Sequence, residues 1–103
     1  ALKSFGWGLL LDQNQVLTNY EHALITEGTS PETHNFRENT NQSLTNKASD
    51  ISETRLATYV PSFEWWSAKQ AGTTIGGSNP DYFITLAMAW SDLTAAGYSR
   101  TTR

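Results

Sequence analysis

The chain has 103 residues, with seven Lys and Arg against ten Asp and Glu, two His, no Cys and a formal charge of −3. That length holds one domain, and an acidic balance with scattered bases disfavours the phosphate contacts on which nucleic-acid binding rests. The lack of cysteine excludes disulfide frameworks, thiolate catalysis, iron–sulfur clusters and cysteine-based zinc sites, while 38% apolar residues suffice for a small core.

In chain order, residues 1–10 are expected to form an extended N-terminal arm, while the alternation of Phe5, Trp7, Leu9 and Leu11 supports a competing hairpin. The run Leu9-Leu10-Leu11 is far short of the roughly 20 apolar residues of a membrane span, and no basic segment with a long apolar stretch marks a signal peptide. Asp12 to Gln15 has capping-box spacing. Val16, Leu17, Tyr20, Ala23 and Leu24 follow at helical intervals up to Gly28, predicting a helix over 13–27. The competing reading of residues 5–27 is a hairpin that turns at Asp12-Gln13-Asn14-Gln15.

Between Thr26 and Asp50 the large apolar residues are Phe36 and Leu44, set among Asn, Thr, Gln, Ser and Glu. Such a stretch buries little against its ordering entropy, so residues 29–49 read as a polar loop or a weak helix begun at Ser30-Pro31-Glu32. Asp50-Ile51-Ser52-Glu53 again has capping-box spacing, predicting a helix over 50–60 that ends at Pro61. Ser62 can cap a continuation through Phe63, Trp65, Trp66 and Ala68 to Gly72, and residues 73–78 form a loop or a short strand. Asn79-Pro80-Asp81 reads as cap, first-turn proline and first-turn acid, which predicts a helix over 80–96 stopped by Gly97. Residues 98–103 read as a flexible tail. The sum is a mainly α single domain spanning 1–103, with three to four helices.

Few constellations carry chemistry. Phe63-Glu64-Trp65-Trp66 sets a carboxylate among aromatics, the composition of a sugar-stacking or glycosidic site, with Asp92 as the second carboxylate that cleavage would need. His22 and His34 lack the spacing of paired metal ligands, and Gly72, Gly76 and Gly77 have neither the lysine nor the order of a phosphate loop. Val16 to His22 superficially resembles the histidine-bearing strand of trypsin-like proteases. The order of residues around Ser78 is wrong for that family and 103 residues are too few for its double barrel, so the likeness is charged to chance. Asn41-Gln42-Ser43 fits the N-glycosylation pattern, a motif short enough to arise freely in such a chain.

Four tryptophans are many for a domain with so little interior, and tryptophan is enriched among the anchors of interfaces. The sequence therefore points to a non-enzymatic structural or assembly subunit, of the kind repeated in a phage or virus particle or an extracellular assembly. Its expected partners are proteins, either further copies or a larger assembly, met through Trp7, Trp65, Trp66, Trp90, Tyr98 and the terminal arms. No catalytic residue, metal or cofactor is assigned. The alternative is a carbohydrate-binding or carbohydrate-cleaving module built on Trp65 and Trp66 with Glu64 or Asp92.

Overall fold

The computed structural model describes residues 6–16, 20–28, 32–40 and 53–101. Among the described residues there are six strands: β1 (Gly6–Leu11), β2 (His22–Glu27), β3 (Thr33–Asn39), β4 (Glu53–Thr58), β5 (Trp66–Gln70) and β6 (Tyr82–Leu86). One 3-10 turn, Ser62–Glu64, precedes β5, and α1 (Trp90–Ala95) is the sole α-helix among the described residues. The first four strands form an antiparallel sheet in the order β1-β2-β3-β4, and β5 pairs with β6 as a separate antiparallel hairpin.

This is a mostly β chain, which corrects the mainly α, helical expectation. In place of the helix predicted over 13–27 stand the turn leaving β1 and then β2, with residues 17–19 outside the described set, so the hairpin alternative is the one adopted: Leu9 lies opposite Leu24 and Leu11 opposite His22. In place of the 50–60 helix stands β4, with residues 50–52 outside the described set. The continuation to Gly72 is the 3-10 turn and β5. The helix over 80–96 is reduced to α1 and gives its first half to β6. In the polar segment near 29–49, Thr33–Asn39 forms the interior strand β3, while residues 29–31 and 41–49 lie outside the described residues.

Capping chemistry explains much of the difference, because a side chain that accepts from a nearby backbone N–H serves a turn as well as a helix start. Asp12 Oδ1 accepts from the amides of Asn14 (3.0 Å) and Gln15 (2.7 Å), and Asn14 Oδ1 accepts from the amide of Val16 at 2.8 Å. These bonds start the turn out of β1 instead of a helix. Asp81, placed as a first-turn acid, reaches backwards instead. Its Oδ2 accepts from the amide of Ile75 and the hydroxyl of Thr73, both at 2.7 Å, closing the loop between β5 and β6.

The core lies on the sheet face that carries Leu24 and Phe36, which are direct cross-strand neighbours, together with Tyr59 just after β4. Leu11 and Ala57 extend it on the sheet side. Trp65, Leu86, Met88, Ala89, Leu93 and Ala96 close it from above, so the C-terminal third is the lid of the core. Polar side chains make the joint. His34, fully buried, contacts the carbonyl oxygen of Ala87 through Nε2 at 2.6 Å and the Thr26 hydroxyl through Nδ1 at 2.5 Å. A carbonyl can only accept, so Nε2 carries the proton of that bond. Tyr59 donates to Asp92 Oδ2 at 2.6 Å and lies 4.6 Å, ring to ring, from Trp65.

The opposite sheet face is a polar ladder. Arg37 Nη1 lies 3.3 Å from a Glu53 carboxylate oxygen and Nη2 lies 3.7 Å from Glu27, while the hydroxyl of Tyr20 donates to Glu53 at 3.1 Å. Asn35, fully buried, accepts from the hydroxyl of Thr58. Polar residues can occupy an interior strand here because both neighbouring strands satisfy its backbone and each of these side chains finds at least one partner, while Asn35 Nδ2 and Arg37 Nε are buried without one.

Candidate functional site

The five aromatic residues marked by the sequence fall into different environments. Trp65 packs on the core against Tyr59. Trp66 opens β5 opposite Leu86 and is partly buried, with its Nε1 buried and without a hydrogen-bond partner. Trp7 on β1 is 50% exposed, and Trp90, the first residue of α1, is 46% exposed. Trp7 and Trp90 therefore carry the outward tryptophan surface.

Tyr98 is placed by the end of α1. The amide of Gly97 donates to Thr94 O at 3.0 Å and that of Tyr98 to Leu93 O at 3.1 Å, the paired pattern of a Schellman stop, with Gly97 at φ +96°. The turn returns Tyr98 to the sheet, where its hydroxyl donates to Leu11 O at 3.3 Å and lies 3.0 Å from His22 Nδ1. Burial pushes the Tyr98 hydroxyl up to about 12, assisted by the charges of Glu21 and Asp12. Burial likewise holds the His22 imidazole below its ordinary value, against the opposing pull of Glu38 and Glu21.

An open cleft of about 390 Å³ borders this corner, with Glu21, His22 and Glu38 on its polar side and Leu56 on its apolar side. Glu21 is buried, and both of its oxygens are engaged: one accepts from the amide of Gln13 at 2.6 Å, the other from Asn14 Nδ2 at 2.7 Å. The His22 ring stacks on Phe36 at 5.2 Å. These groups pin the turn after β1 and the segment after α1, and they do not form a nucleophile with its base. Among the described residues, no three His, Cys, Asp or Glu side chains converge as a metal-holding group.

The carboxylates considered with the tryptophans are also located. Glu64 is exposed beside Phe63, itself 70% exposed, at a depression of about 120 Å³ lined by Trp65 and Trp66. Asp92 is committed to the Tyr59 hydroxyl, and burial raises that hydroxyl to about 12, with the Asp92 hydrogen bond as the next cause.

Two exposed apolar surfaces emerge that the tryptophan count does not mark. The first is β1, whose Leu9 and Leu10 are 51% and 39% exposed beside Trp7. The second is the β5–β6 hairpin. Alternation puts Trp66, Ala68, Ile84, Tyr82 and Leu86 on one face and Ser67, Lys69, Phe83 and Thr85 on the other. Leu86 is anchored in the core at the root of the hairpin, while Tyr82, Phe83 and the loop residue Ile75 are exposed toward its tip. The signal for it was present in the sequence, since Tyr82, Ile84, Leu86 and Met88 recur with a period of two.

Comparison with family models, curated proteins and solved structures finds no match to this chain. Among the described residues no helix is long and apolar enough to cross a membrane.

Proposed function

We propose that this chain is a structural or assembly subunit, without catalytic chemistry of its own, that binds neighbouring protein through the hairpin and the adjoining exposed aromatic surface. The observation that carries the reading is the β5–β6 hairpin. It is a two-stranded sheet with a large aromatic exposed on each face near its tip, Tyr82 on one and Phe83 on the other. A hairpin of two strands is marginal in water and is stabilised by packing against something further. Exposed aromatic rings of this kind are the anchors that interfaces bury. The polar, lysine-poor, tryptophan-rich composition fits subunits repeated in a phage or virus particle.

Light scattering after size exclusion tests the reading. A mass that is a multiple of 11.4 kDa and falls in a Tyr82→Ser/Phe83→Ser variant is the expected result. The reading fails if the protein is an 11.4 kDa monomer at every concentration and the hairpin amides are as protected from exchange as those of β2 and β3.

A further inference from the structure

The two edges of the four-stranded sheet are unlike. On β4, the exposed Arg55 supplies charge, Glu53 being turned to Arg37, and the register with β3 shifts between Phe36 and Arg37 so that Leu56 is skipped. Charge and a bulge are the devices by which proteins keep an edge strand from pairing with another chain. The sequence of β1, Gly6-Trp7-Gly8-Leu9-Leu10-Leu11, has no charge and no proline, and its register with β2 runs unbroken through all six residues. Trp7 and Leu9 share the core-side face, lie outside the core cluster, and are each about half exposed.

Building on the assembly reading, we propose that the outer edge of β1 pairs antiparallel with β1 of a second copy, joining two four-stranded sheets across a two-fold axis. The occupant follows from charge. An uncharged apolar edge meets an equally uncharged one in a second β1, whereas a β1-to-β4 contact would set it against the exposed Arg55 and the bulge. That head-to-tail contact would also leave edges free to propagate, while the β1–β1 contact closes.

The symmetry fixes the alignment. A two-fold axis between antiparallel edge strands runs perpendicular to the sheet and keeps each face on its own side, so paired residues must share a face and one residue must face itself on the axis. Leu11 is already committed, with its side chain packed on the core and its carbonyl accepting from the Glu21 amide and the Tyr98 hydroxyl. Of the alignments within β1 that leave Leu11 out, the one with the most pairs has Gly8 on the axis, Trp7 opposite Leu9 of the other copy, and Gly6 opposite Leu10. Two Trp–Leu cross-strand pairs then flank the axis on the core side of the joined sheet.

The test uses the full chain. Gly8→Cys places the protein's sole thiol on the axis, and a Cβ there meets Ile25 and Leu24 at an ordinary 3.9 Å, so the variant is compatible with the fold. The expected result is a wild-type mass of at least twice 11.4 kDa. Air oxidation should then convert most of the Gly8→Cys protein to a covalent dimer, and Leu9→Lys should weaken self-association at least tenfold with an unchanged near-ultraviolet spectrum. If association survives Leu9→Lys without Gly8→Cys cross-linking, and is instead lost in Tyr82→Ser/Phe83→Ser, β1 pairing is refuted and the assembly reading stands. A wild-type monomer at all concentrations refutes the pairing. A monomer whose hairpin is also fully protected from exchange refutes the assembly reading as well.

Discussion

His22, Tyr98 and Tyr59 show how individual side chains hold the lid to the sheet. The His22 ring is neutral by preference in the fold because burial disfavours its charged form. Its contribution to stability is therefore complete above the ordinary value of 6.5 and is lost as pH falls through the depressed folded value. His22→Gln should flatten the decline in urea midpoint below pH 6.5, and an unchanged slope would contradict this assignment. Tyr59 and Tyr98 work at the other end of the scale. Both hydroxyls are raised from 10.0 to about 12, so their contribution is complete below pH 10.0 and is lost as pH rises through about 12. A spectrophotometric titration should resolve these two as late-ionising tyrosines, with unfolding accompanying their ionisation.

The Tyr59–Asp92 bond joins the end of β4 to α1, and Asp92 is only partly buried, so its loss should cost about 1–2 kcal/mol. A double-mutant cycle of Tyr59→Phe with Asp92→Asn should give a coupling of about 1 kcal/mol, and zero coupling would assign the bond no energetic role. Gly97→Ala should cost about 1 kcal/mol through its positive φ, since the side chain it would meet, Gln13, ends in a flexible amide that can swing aside.

At the scale of elements, loop closure at Asp81 is separable from the sheet. Its carboxylate is held below the usual range first by the Ile75 amide and then by the Thr73 hydroxyl. Asp81→Ala should speed hydrogen exchange at the Ile75 amide while leaving β2 and β3 unchanged. In the wild type the same loosening should appear as pH falls through the lowered folded value, having been absent above 3.8. Faster exchange across β2 and β3 would show that the loop is not independent.

The elements also show which features were legible in the sequence. The alternation of Trp7, Leu9 and Leu11 and the turn residues Asp12 to Gln15 correctly describe the β1–β2 connection as a hairpin. Helical spacing in Val16, Tyr20, Ala23 and Leu24 competed with it because both faces of β2 are largely buried, which removes the period-two contrast. β3 was hidden for the same reason in reverse. Its His34, Asn35 and Asn39 are buried with specific partners, and those partners are distant in sequence: Ala87 for His34, Thr58 for Asn35 and the Tyr20 carbonyl for Asn39. Local spacing carries no trace of such partners. Tyr98 and the hairpin face are similar cases, legible as aromatic residues but assigned to core or surface only by the register and by the stop at Gly97.

For the whole molecule, the imbalance between interior and surface is the main physical fact. Among the described residues the buried apolar set is Tyr20, Ala23, Leu24, Phe36 and Tyr59, whereas eleven large apolar side chains are exposed. Scattered singly these would need no explanation, but Trp7, Leu9 and Leu10 share one edge strand and Tyr82 and Phe83 share one hairpin. A chain with so small a core gains stability when such surfaces are covered, so folding and association should be linked and the unfolding midpoint should rise with protein concentration.

The most direct test is the solution mass by light scattering at two concentrations about a hundredfold apart. The account predicts a mass of at least twice 11.4 kDa at the higher concentration, with dissociation on dilution and in Leu9→Lys. A constant 11.4 kDa at both concentrations, with an unfolding midpoint independent of concentration, would contradict it.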